Sequence, residues 1–232
     1  MIQVAYTPQW FYGKDLAIDV VSAFVLLLIA FFSLRYYRIE KKNKNYLYLA
    51  VSFLLIAVSF FFKILTNFTI YYKIFETKYF GLFTLTYQSV KTNDILFILG
   101  YLVYRLLFLL GLYILYSIYQ KNQPKSNIFL IAFFILISTY FSQSAYYIFH
   151  LTALVLLSLI TMQYYANYKK NGQFTAKLLT GSFAIIGMSQ IFFIFVIFNQ
   201  VIYVIAELIQ LLGYLFLLTT FFKVLRNVKK KR

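Results

Sequence analysis

FNQVIYVIAELIQLLGYLF, residues 198–216, carries one glutamate, Glu207, in a run that is otherwise free of charge. Its reading decides the fold in two steps. The stretch lies within an apolar run of about forty residues, roughly twice what one helical crossing of a bilayer requires, so Asn199-Gln200 must turn the chain between two spanning helices. Downstream of that turn, Gln200, Tyr203, Glu207, Gln210 and Tyr214 follow one another at spacings of 3, 4, 3 and 4. On a helix all five fall in one narrow arc, and an arc holding a carboxylate turns toward protein and away from acyl chains.

The rest of the chain has the same character. Of its 232 residues, 62% are hydrophobic and 12% charged, and the mean hydropathy is +0.78, far from the balance of a soluble domain. The apolar residues fall in blocks of helical-crossing length, not in the short alternating segments of an outer-membrane barrel. The expectation is an all-α integral membrane protein, a single bundle of seven transmembrane helices near 16–37, 46–65, 94–119, 127–141, 144–167, 176–198 and 201–222, with a second tight turn at Ser142-Gln143-Ser144. Pro8 and Pro124 lie outside these blocks, so no proline kink is expected. No basic segment precedes the first block, which is full length and is expected to remain as an anchor. With no cysteine, the chain has no thiolate with which to hold a metal or a cluster. The abundance of Lys, Ile, Asn, Phe and Tyr suggests a prokaryotic, AT-rich source.

Basic residues give the orientation. Arg35, Arg38, Lys41, Lys42, Lys44, Lys121, Lys125, Lys169, Lys170, Lys177, Lys223, Arg226, Lys229, Lys230, Lys231 and Arg232 fall at one end of the helices, whereas Lys14, Lys73, Lys78 and Lys91 fall at the other. The positive-inside rule then places the N-terminus outside and the C-terminus in the cytoplasm of a cell-membrane protein. Such a rim attracts anionic lipid headgroups, which explains the net charge of +16 without nucleic acid. The long connection 66–93 spaces Phe68, Tyr71, Tyr72, Phe75 and Tyr79 as on a helix and ends the pattern at Gly81, so a helical segment at the headgroup level or a lid is expected there. Asn67-Phe68-Thr69 is a glycosylation sequon.

Arg105, Glu207 and Asp19 each lie sixteen residues from a basic residue at the inner ends of their helices, namely Lys121, Lys223 and Arg35. At 1.5 Å per residue that is roughly 24 Å for each, one shared layer. The expectation is an ion pair between Arg105 and Glu207, with Asp19 as second or alternative acid and Tyr101 and Gln190 as hydrogen-bond partners. Gly100 and Gly111 sit on the face of the third helix opposite Arg105 and predict close helix packing there. His150, the single histidine, is expected one turn above the charged layer as a packed residue.

The seven-helix outline resembles several large groups, whose chemistry is missing. Retinal proteins need a mid-helix lysine in the seventh helix, and Lys223 lies at its end; seven-helix zinc hydrolases need several histidines. Receptors coupled to G proteins carry an acidic-Arg motif where this chain reads YSIYQK, and the Pro-Gln pairs of sugar-transporting relatives lie here outside the helices. Neither Gly-x-Ser-x-Gly nor His-Glu-x-x-His occurs, so no catalytic residue, metal or cofactor is expected, and no enzyme. Two functions remain. One is a receptor-like sensor or accessory subunit with a ligand pocket of Arg105, Glu207, Gln210, Tyr203, Tyr214, Asp19, Tyr101, Gln190 and His150, read by a protein partner. The other is a small secondary transporter in which Glu207 or Asp19 takes protons and Arg105 holds an anionic substrate. The missing helix breaks and an unclear internal repeat count against the second.

Overall fold

The computed structural model describes residues 7–11, 13–39, 44–71, 75–80, 83–88, 91–118, 120, 125–230 of the chain, with side chains for a subset. Seven α-helices follow in order: α1 (Lys14–Ile39), α2 (Asn45–Tyr71), α3 (Lys91–Ser117), α4 (Lys125–Phe141), α5 (Tyr147–Asn171), α6 (Phe174–Ile194) and α7 (Gln200–Lys230). Six of them are long and apolar enough to cross a membrane, which makes this a multi-pass membrane protein. The exception is α4, whose 17 residues span about 26 Å, short of a hydrocarbon core of about 30 Å.

Both predicted turns are present. Residues 142–144 form hydrogen-bonded turns between α4 and α5, with Ser142 N–H donating to Ser138 O at 3.0 Å. Asn199 stands ahead of α7 and its Oδ1 accepts from Val201 N–H at 2.9 Å, which satisfies one of the amides that a helix start leaves open. Between α5 and α6 the chain reverses through Gly172 at φ 64°, a left-handed conformation that a side chain resists and glycine does not.

The connection between α2 and α3 departs from expectation. The chain stays helical to Tyr71, and residues 75–80 and 83–88 then form an antiparallel strand pair, β1 and β2, in register from Phe75 opposite Gln88 to Phe80 opposite Phe83. The helical spacing of the aromatic residues therefore misled, because two six-residue segments rich in aromatic and β-branched types pair instead. Tyr72 and Gly81 lie outside the described residues. The sequon is also displaced from a loop: Asn67 sits in α2 with its amide nitrogen buried, unlike a surface glycosylation acceptor.

Helix neighbours define a closed ring. Around it run α1, α2, α3, α5, α6 and α7, with α7 returning to α1, and α4 leans on α3 and α5 from outside. The centre is filled by aromatic side chains: Phe60 meets both Phe108 and Tyr214 edge-on, at 6.3 and 5.6 Å between ring centroids, and Phe53 meets Phe221 at 5.8 Å. Such edge-to-face pairs contribute about 0.5–1.5 kcal/mol each. In lipid, where apolar surface gains little by leaving the solvent, this packing and the approach of small residues hold helices together. The two glycines of α3 act as predicted. A Cβ at Gly100 would stand 2.7 Å from Thr66 Oγ1 and one at Gly111 2.5 Å from Ile56 Cγ1, so both mark where α2 comes close.

Candidate functional site

Three charged groups meet inside the ring. Lys63 Nζ, from the second half of α2, donates to Asp19 Oδ1 on α1 at 2.7 Å and to Glu207 Oε1 on α7 at 2.6 Å. Asp19 is 0% and Glu207 1% exposed, and Lys63 is buried with them. One ammonium thus holds two carboxylates, one from the neighbouring α1 and one from α7 on the far side of α1 in the ring, and Asp19 Oδ2 is left without a hydrogen-bond partner.

This corrects the predicted pairing. The shared layer is present and contains both acids, but their cation is Lys63 and not Arg105. The directions of the two side chains give the reason: Lys63 reaches from α2 to Asp19 on the neighbouring α1 and to Glu207 on α7, whereas Arg105 on α3 is turned toward the turn after α4 and toward α5. Counting could have found Lys63, which lies nineteen residues after Lys44, roughly 28 Å from the basic end of α2. It was hidden because it sits near a predicted helix end, where a lysine ordinarily reaches out toward the headgroups.

Arg105 lies in a second cluster. It is 1% exposed, and its Nη1 donates to Ser142 Oγ at 2.5 Å in the turn after α4. Its guanidinium carbon stands 3.8 Å from the ring centre of Tyr101 and 5.6 Å from that of Phe149, a cation over two aromatic faces. Ser142 in turn donates to Thr139 O at 2.7 Å. Among the residues whose side chains are described, no carboxylate lies within ion-pair distance of Arg105, and its Nε has no hydrogen-bond partner.

The remaining predicted residues sort around these two clusters. His150 on α5 donates Nδ1–H to Gln190 Oε1 on α6 at 2.9 Å and stacks on Phe193 at 4.7 Å, so it is a packed, partnered histidine as expected. Gln190 bonds His150 and Ser189, not Arg105. Tyr203 sets its ring edge-on to Phe193 at 5.8 Å. Further along α7, Gln210 Nε2 donates to Tyr214 Oη at 3.1 Å, and both are buried. Gln200, the first of the predicted arc, is exposed at the helix start. The rings of Tyr104 and Phe149, 5.5 Å apart, link α3 to α5 beside Arg105.

No family model, curated protein or solved structure matches the chain.

Proposed function

We propose that the protein is a seven-helix receptor-like membrane protein, N-terminus outside and C-terminus in the cytoplasm, which binds a small anionic molecule at Arg105 and passes the event to a protein partner. The observation that carries this reading is the isolation of Arg105. A guanidinium buried at membrane depth is costly and ordinarily takes an acid partner. Among the described side chains, Asp19 and Glu207 are both held by Lys63 and none pairs with Arg105, which keeps an unpaired Nε, one of the donors with which arginine grips a carboxylate or phosphate in a fork. The sixteen basic residues at one end of the helices support the orientation and a rim of anionic lipid.

The test is thermal unfolding of the purified protein in detergent, with acetate, inorganic phosphate or chloride added at equal ionic strength. Acetate or phosphate is expected to raise Tm above the chloride reference, and Arg105→Gln to remove that rise. An equal rise in both proteins overturns the reading. A second reading, a small carrier, draws on the Lys63 triad: either acid can take a proton while the ammonium keeps the other, so charge can enter and leave the layer without stranding Lys63.

A further inference from the structure

The two halves of the chain repeat one another. SFLLIAVSFFFKI (52–64) in α2 and SFAIIGMSQIFFI (182–194) in α6 agree at six of thirteen positions, at a constant offset of 130. YLVYRLLFLLGLYIL (101–115) in α3 and YVIAELIQLLGYLFL (203–217) in α7 agree at six of fifteen, offset 102. At the inner ends of α1 and α5, RYYRIEKKN (35–43) and QYYANYKKN (163–171) share five of nine, offset 128. The order is the same in both halves. The changed offset at α3 corresponds to the longer connection that carries β1 and β2 in the first half.

Structure matches sequence at these positions. The buried residues of α2 between 52 and 66 are Ser52, Phe53, Ile56, Ala57, Ser59, Phe60, Lys63 and Thr66, and each has a buried counterpart 130 residues on, seven in α6 and the last, Val196, in the 3-10 turn that follows it. Ser59 donates to Ile56 O at 2.6 Å and its counterpart Ser189 to Ile186 O at 2.7 Å; Ser33 donates to Ile29 O and Thr161 to Leu157 O. A Cβ on Gly111 would stand 2.5 Å from Ile56 Cγ1, and one on the equivalent Gly213 2.5 Å from Ile186 Cγ1, again an equivalent residue. The ring order makes the contact of α3 with α5 the counterpart of that of α7 with α1, and packing is denser within each triplet than across these two seams. Arg105 and Glu207 occupy equivalent positions with opposite charge, each four residues after a tyrosine, Tyr101 and Tyr203.

We infer that the chain is two copies of a three-helix unit, α1–α3 and α5–α7, joined by α4, and that the units tilt against each other to open the buried charged layer to one side of the membrane and then the other. This rests on the anion-binding reading above and turns it from sensing to carriage of a small carboxylate or phosphate. The layer lies where the units meet: Lys63 and Asp19 of the first unit hold Glu207 of the second, and the Arg105 guanidinium of the first stands over Phe149 of the second. Parallel repeats with a site at their shared interface are a recurrent architecture of membrane carriers, in which alternating access is largely rigid rocking of one repeat on the other.

Because the chain has no cysteine, Ser59→Cys and Ser189→Cys, near-isosteric changes at equivalent buried positions of the two units, can report access to the layer. Each variant, with Tm checked against the parent, is reconstituted into phosphatidylcholine–phosphatidylglycerol vesicles and exposed to a membrane-impermeant maleimide from outside or from within. Both thiols are expected to react from both sides, with acetate or phosphate shifting the ratio at least twofold and Arg105→Gln removing that shift; whichever anion acts identifies the class. Reaction from one side only, or from neither, overturns carriage and leaves anion binding standing on its Tm response. Reaction from both sides with an unchanged anion response in Arg105→Gln overturns Arg105 as the anion holder instead.

Discussion

Lys63 sets the energetics of the interior. Replacing it by methionine leaves Asp19 and Glu207 buried without their cation, and stranding one side of a buried pair costs about 3–5 kcal/mol. Lys63→Met is therefore expected to lower Tm sharply, and the triple variant Asp19→Asn, Lys63→Met, Glu207→Gln to recover most of the loss, because no unpaired ion remains. A triple variant as unstable as the single one would show that the ions are not what the lysine serves. Arg105→Met is expected to differ: removing it strands no acid among the described side chains, so its effect on Tm should be much smaller than that of Lys63→Met. At this scale the sequence was legible in part. The inward arc of α7 and the common depth of Asp19 and Glu207 follow from helical periodicity and rise. The partner did not, because depth along a helix says nothing about which helices are neighbours.

Close helix approach is the matching issue for elements. Gly111→Ala and Gly213→Ala place a methyl 2.5 Å from an isoleucine Cγ1 and within 3.0 and 3.2 Å of backbone atoms of the facing helix, Ser52 O and Ile186 N. Backbone cannot step aside as a side chain does, so overpacking of roughly 1–3 kcal/mol outweighs the 0.5–1 kcal/mol or so that alanine gains over glycine in a helix. Both variants are expected to lose Tm, and by similar amounts if the halves are equivalent. Gly181→Ala is the control: its nearest neighbour is Phe216 Cε1 at 3.4 Å, ordinary contact with a side chain, so Tm should hold or rise. The long helices were readable because block length and charge spacing are local properties. Residues 66–93 were not, since aromatic residues suit a flat helix and a strand pair alike, and β1 depends on β2 for its hydrogen bonds.

For the whole molecule, the proposed orientation rests on charge and can be measured with single cysteines. Ser144→Cys, in the exposed turn after α4, is expected to react with impermeant maleimide on intact cells, and Lys170→Cys, exposed at the far end of α5, only after permeabilisation. The reverse pattern would invert the topology. On the proposed seven-crossing topology, the number of crossings gives α4 a role. A three-helix unit ends on the opposite side of the membrane from where it starts, so a second copy fused directly to the first would be threaded upside down, its basic end outside. In the proposed seven-crossing topology the short helix leaning on the ring's outer wall would supply one more passage and restore parity, and removing it is expected to flip the second copy or prevent its insertion.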